Sequence, residues 1–245
     1  MKPLHWSALR HIRQTPAHYK YNLEHPKPPT PPMRFGSLVG AFVMGKPRSF
    51  VVYEGARRGN AWKKFKEAHA DLEIVTQDEW DRAMAAADEV RADRVAAELL
   101  AGAEREVKFD WSVDGRPCRG TPDLCRGPND ILADLKVTDS NPYKLRYQVT
   151  KMGWHAQLAW YHNGVDFEPL MTALIAVPPK PPHIVTVVEF TEKDLELGHG
   201  AWRSAFERLK VCEEAGQFPG YVQSAIPLDL QDDVTLTIDG EEVEL

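Results

Sequence analysis

Gly120-Thr121-Pro122-Asp123-Leu124, followed after a loop by Ile131-Leu132-Ala133-Asp134-Leu135-Lys136-Val137, is the stretch that decides the fold. The apolar run Ile131 to Ala133, which leads into Asp134 and Lys136, predicts a strand. A strand sends alternate side chains to opposite faces, so Asp134 and Lys136 share one face. A neighbouring antiparallel strand that ends on Asp123 would set a second carboxylate beside them. Two carboxylates and an ammonium in one small space suit a magnesium-dependent phosphodiesterase. The carboxylates hold a hard cation through oxygen, while the lysine orients water and offsets phosphate charge. The same spacing also fits an ordinary surface ion pair on a sheet.

Working outward, Glu104 to Val113 reads as a strand, Asp114-Gly115 as a tight hairpin turn and Pro117 to Leu124 as the return strand. Arg126-Gly127-Pro128-Asn129-Asp130 reads as the loop before the Asp134 strand. After Asn141-Pro142 the pattern turns helical, and Gln157 and Tyr161, four residues apart, lie on one helix face. Upstream, His25 to Pro32 is a proline-rich connector, and Thr76-Gln77-Asp78-Glu79 opens a helix to about Gly102 with a capping box. Downstream, Phe167 to Val177 and His183 to Phe190 read as strands joined by a proline-rich loop. Thr191 then caps a last long helix to about Ala215. Together these predict an α/β fold, a mixed central β-sheet flanked by helices.

Taken in order, these motifs resemble the PD-(D/E)xK nucleases, with their restriction-endonuclease-like core, and within them the RecE-like exodeoxyribonuclease VIII group of phages and prophages. The likeness runs from about Trp6 to Phe218. Ser7-Ala8-Leu9-Arg10-His11-Ile12 is similar to the family's opening helix, and Arg34-Phe35-Gly36-Ser37-Leu38-Val39 to its first core motif. Arg57 to Phe65 is similar to a segment typical of the subgroup. Gly120-Thr121-Pro122-Asp123 and Asp134-Leu135-Lys136 match the two catalytic motifs, and Gln157-Leu158-Ala159-Trp160-Tyr161 the helix that follows.

The resemblance implies Asp123, Asp134 and the backbone carbonyl of Leu135 as ligands of Mg2+ or Mn2+, and Lys136 as the residue that positions water. It implies Gln157 and Tyr161 as supports of the site and the DNA backbone, with Glu106 as a further supporting acid. It implies exonucleolytic hydrolysis from double-strand ends, 5′ to 3′, in phage-type recombination beside a single-strand annealing protein, by a homo-oligomer. One departure stands out. Many family members carry a metal-ligating histidine in a G-x-x-x-H pattern where this chain has Gly40. A weakly active or inactive DNA-end-binding protein that keeps the fold is therefore the alternative. His5, His11 and His18 read as surface or packing residues.

Composition bounds these readings. At 245 residues the chain suits one large domain, taken as residues 1–220, with a tail over residues 221–245 that ends in a small acidic hairpin around Asp239-Gly240. A formal net charge of −6 does not suggest a general nucleic-acid binder but leaves room for local basic tracks. The candidates are Arg57, Arg58 and Lys63, with Lys64 and Lys66, and Lys144 and Arg146, with Lys151. Cys118, Cys125 and Cys212 are too few and scattered for a disulfide framework or an iron–sulfur cluster. With no signal peptide and no apolar run near about 18 residues, a cytoplasmic protein of a bacterial or phage-infected cell is expected, without membrane contact.

Overall fold

A computed structural model describes residues 2–46, 49–127, 130–139 and 141–221, together with the backbone of residues 235–238 and 241–244. The centre is a five-stranded sheet in the order β10-β9-β8-β7-β4. Its members are β4 (Glu104–Arg105), β7 (Leu124–Arg126), β8 (Ile131–Val137), β9 (Met171–Val177) and β10 (Thr186–Glu189). β8 and β9 pair in parallel, with Asp134 opposite Leu174, and the other pairs are antiparallel. A parallel pair needs a crossover, and α7 (Pro142–Met152) with α8 (Trp154–His162) supplies it.

β8 is buried on both faces, which is why its sequence is almost continuously apolar. Ile131 and Ala133 pack into one core with Leu124, Ala173 and Ile175, against α3 (Pro31–Val43), α5 (Gln77–Ala92) and α6 (Arg94–Leu100). Leu132 packs into the other core with Cys125, Leu174 and Ala176, against α8 and α9 (Glu192–Ala215). Asp134 and Lys136 follow Leu132 in the alternation and so face α8.

On the α8 side, α1 (Trp6–Leu9), a 3₁₀ turn at Arg10–Arg13 and α2 (Pro16–Glu24) pack near α9. α8 and α9 approach closely at Gly198, where an added Cβ would lie 2.3 Å from the His155 carbonyl oxygen. The neighbouring indoles of Trp160 and Trp202 meet edge to face at 5.3 Å. A second sheet, β1-β6-β5, joins β1 (Leu4–His5) to the hairpin of β5 (Phe109–Val113) and β6 (Arg116–Gly120). The short pair β2 (Phe50–Val52) and β3 (Glu73–Val75) flanks α4 (Gly59–Ala68).

Several elements divide where the sequence reading runs them together. The strand expected over 104–113 breaks at Glu106, a non-glycine residue at φ 53. The expected return strand breaks at Thr121-Pro122-Asp123, because Pro122 has no N–H for a ladder. The hairpin therefore belongs to the second sheet, and β7 is the strand that pairs with β8. The helix expected to Gly102 breaks at Asp93, whose side chain accepts from Ala96 N–H at 2.8 Å and caps α6. Gly153, at φ 73, separates α7 from α8.

Pro31 and Pro32 end the proline-rich connector by opening α3, where a missing N–H costs nothing. The capping box expected at Thr76 is formed, and Thr191, at the expected start of α9, forms another with Asp194. In the tail, β11 (Thr235–Ile238) and β12 (Glu241–Glu244) pair antiparallel. The expected Asp239-Gly240 turn and the Pro128-Asn129 part of the loop before β8 lie outside the described residues.

Candidate active site

Where β7 gives way, the edge of β8 opens into a cleft of about 980 Å³. Register stops pairing β7 with β8 at Leu124 and Ala133, so β8 continues past that point without a ladder partner on that side. Asp123 takes the vacated place: its Oδ2 accepts the Leu135 N–H at 2.7 Å. The N–H and C=O of a strand residue point to the same edge, so the Leu135 carbonyl also faces Asp123.

Asp134 is 3 % exposed. Its Oδ2 is paired with the Lys136 ammonium. A buried carboxylate is costly unless a cation offsets its charge, as the Lys136 ammonium does here. Burial pushes the Asp123 carboxyl up to about 7, with the Asp134 charge adding to the rise and Lys136 opposing it.

α8 forms one wall. Gln157 Nε2 donates to the Tyr161 hydroxyl oxygen at 2.7 Å, the pairing expected of residues four apart. Burial, reinforced by the Asp134 charge, raises the Tyr161 pKa far above its ordinary value, so the hydroxyl stays protonated. Gly120 makes room for this ring: a Cβ there would sit 2.7 Å from Tyr161 Cδ1. α3 forms the opposite wall, with Gly36 against Val137 and Gly40 facing open space.

Glu106 lies on the rim. Its N–H donates to the Asp123 carbonyl at 3.1 Å, and its carboxylate pairs with Lys46 at 2.6 Å. These contacts hold it in a left-handed conformation that glutamate rarely adopts. Lys46 escapes a motif-based reading. Its one sequence signal is the stop at Gly45, φ 72, which ends α3 and projects the next residue over the cleft.

The proposed basic tracks separate. Lys151 lines the cleft, whereas Lys144 and Arg146 do not. Arg146 borders a different cavity that also contains Asp194. Arg57 is occupied by the Ile74 carbonyl, at 3.1 Å, and by Glu79. Arg58 precedes α4, and Lys63 sits on that exposed helix, away from the cleft. His5, His11 and His18 do not line the cleft either, and His18 Nδ1 is paired with Thr15 Oγ1 at 2.6 Å. The three cysteines are free and buried.

A family model for the PDDEXK-like domain of unknown function (DUF3799) matches residues 6–226. The chain belongs to this family. The PDDEXK-like domain also matches the crystal structure of a provisionally named exonuclease from Eubacterium rectale, with a TM-score of 0.65 at 14% identity, over 94% of this chain and 92% of that one. An alkaline exonuclease from Laribacter hongkongensis aligns over 74% of this chain and 91% of its own at 12% identity. Its TM-score is 0.31, too low to bear on the fold. No curated protein matches. The sequence motifs, the family match and the Eubacterium fold agree on the PD-(D/E)xK architecture.

The donor set suits a hard divalent cation. Asp123, Asp134 and the outward carbonyl of Leu135 are all oxygen donors, and magnesium commonly completes its shell with water. Among the described residues, no group of three or more His, Cys, Asp or Glu side chains gathers to hold a metal. Among them too, no helix is long and apolar enough to cross a membrane.

Proposed function

We propose that this PDDEXK-like domain is a divalent-metal-dependent deoxyribonuclease that hydrolyses phosphodiester bonds from double-strand ends. The carrying observation is the convergence of Asp123, the buried Asp134 and Lys136 at the open edge of β8. Asp123, Asp134 and the Leu135 carbonyl would hold magnesium or manganese, which supplies Lewis acidity toward phosphate and lowers the pKa of bound water.

The chain's own groups divide the remaining work. Lys136, partly exposed to the cleft, orients the attacking water and offsets charge on the phosphate. Tyr161 already accepts from Gln157, so its own O–H is free to donate to a phosphate oxygen. Asp123 is fixed by the Leu135 N–H, which sets its second oxygen without further reorganisation. Glu106, held by Lys46, supports the position of Asp123 through the backbone.

Family resemblance extends the proposal to 5′ to 3′ polarity, hand-over of the surviving strand to an annealing protein in phage-type recombination, and a homo-oligomer. It also assigns residues 1–220 to the nuclease domain and residues 221–245 to a tail. The test is digestion of linear duplex DNA, labelled at either 5′ or 3′ ends, with magnesium or manganese. Metal-dependent shortening that Lys136→Ala abolishes is the expected result, and the two labels give the polarity.

The second reading, a DNA-end-binding protein with little activity, is favoured by the lack of a third acidic or histidine side chain grouped with Asp123 and Asp134 among the described residues. DNA binding without cleavage under either metal would establish it.

A further inference from the structure

Beside the cleft, α7 presents a face that neither the fold nor the proposed chemistry uses. Its inner side is anchored by Leu145 and Val149, both buried. On its outer side Tyr143 is 91% exposed and Tyr147 66%, against the usual tendency of large aromatic rings to be covered. Lys151 Nζ lies 5.5 Å from the centre of the Tyr147 ring. Tyr143, Tyr147 and Lys151 are four residues apart, so they form one stripe whose members advance about 6 Å each along the axis. The stripe runs into the cleft, since Gln148, Lys151 and Met152 line it. Gln148 also accepts from Thr138 Oγ1 at 2.8 Å, which ties α7 to the end of the strand that carries Asp134 and Lys136.

The charge of α7 is as one-sided as its exposure. The segment Pro142–Met152 contains Lys144, Arg146 and Lys151 and no acidic residue, in a chain whose formal net charge is −6. Exposed rings interleaved with cations suit a polyanion with flat, stackable groups. Tyrosine and arginine also occur at protein interfaces, but the two lysines of this face are of a type such interfaces deplete, and Leu145 and Val149 point inward. Paired bases inside a duplex are already stacked, so only an unpaired strand can offer its bases to these rings.

We propose that Tyr143 and Tyr147, with Lys144 and Lys151, form a stacking platform for single-stranded DNA that guides an unpaired strand along α7 to or from the cleft. The placement of a strand in the cleft rests on the nuclease reading. The stacking itself does not.

The test measures binding of a labelled twelve-nucleotide oligothymidylate, and of an abasic strand of equal length, by fluorescence anisotropy in EDTA. The proteins are the full chain, Tyr143→Ala/Tyr147→Ala and Tyr143→Phe/Tyr147→Phe. Removal of aromatic stacking should weaken oligothymidylate binding by about tenfold or more, and phenylalanine should restore it to within about twofold of the unaltered chain. The abasic strand should bind all three proteins alike. Both sites are exposed on a helix where alanine is favoured, and thermal melts check that the variants fold.

Unaltered oligothymidylate binding by the alanine variant, or no binding by the full chain, overturns the platform. So does an equal loss for both strands, or a change in self-association by light scattering without a change in binding. Duplex digestion run in parallel separates the two proposals. Cleavage with tyrosine-indifferent binding overturns the platform alone, whereas tyrosine-dependent binding without cleavage overturns the nuclease alone.

Discussion

Asp123→Asn should make the metal-free protein more stable, and more so at pH 8 than at pH 5. Asp123 sits beside Asp134 in a half-buried site that lifts its carboxyl from 3.8 to about 7. A raised carboxylate pKa means that the folded state binds a proton that the unfolded state has released between those values. The wild-type protein therefore loses stability as pH climbs from about 4 to about 7, and the full penalty applies above that. A gap of about three pH units corresponds to about 4 kcal/mol, of which somewhat more than half develops between pH 5 and pH 8. Water in the open cleft trims these values, so the gain from Asp123→Asn at pH 8 should exceed that at pH 5 by about 1 to 2 kcal/mol.

The asparagine carbonyl can still accept the Leu135 N–H that Asp123 Oδ2 accepts at 2.7 Å, and its amide replaces a repulsion by a donor toward Asp134. For a chain of this length the difference reads as roughly 3 to 8 °C in Tm, measured in EDTA at the two pH values. Magnesium should then raise the Tm of the wild type more than that of the variant. Equal gains at both pH values, or a loss at pH 8, would refute the account of a carboxyl raised first by burial and then by the Asp134 charge.

Three further substitutions probe the walls of the cleft. Gly40→His meets no atom within 4 Å of its Cβ, so it should be accommodated and raise manganese affinity by about tenfold or more in calorimetric titration; unchanged affinity rules out Gly40 as the limiting feature. Gly120→Ala places a Cβ 2.7 Å from the Tyr161 ring and should cost about 1 to 3 kcal/mol in denaturant unfolding, with a neutral result contradicting the packing described. Tyr161→Phe removes a hydroxyl that burial keeps protonated, so it should slow cleavage by about 2- to 10-fold, and equally from pH 7 to pH 10; a pH-dependent deficit would show that Tyr161 ionises.

Much of the site is legible in the chain because its logic is local. Ile131 to Ala133 can only be a buried strand once both its faces are apolar, and the i, i+2 spacing of Asp134 and Lys136 then fixes their common face. The Gln157–Tyr161 pair follows from helical spacing in the same way. Helix starts are equally local: the Thr76 and Thr191 capping boxes are short-range hydrogen bonds between residues three apart.

What the chain hides is set by contacts distant in sequence. Asp123 reaches Asp134 through a change of sheet at Pro122, beside Gly120, whose missing Cβ leaves room for the ring of Tyr161, 41 positions later. Glu106 gives no sign of its left-handed backbone, because the partners that hold it there are the Asp123 carbonyl and Lys46. The basic residues show the same limit from the other side. Arg57 and Lys151 look equivalent as charges in a sequence, yet one is consumed by Ile74 and Glu79 while the other stands at the mouth of the cleft. Charge counting cannot separate a cation that closes a structural contact from one left for a phosphate. Only the strand order, which opens the edge of β8 between α3 and α8, decides which cations border the place where the carboxylates meet.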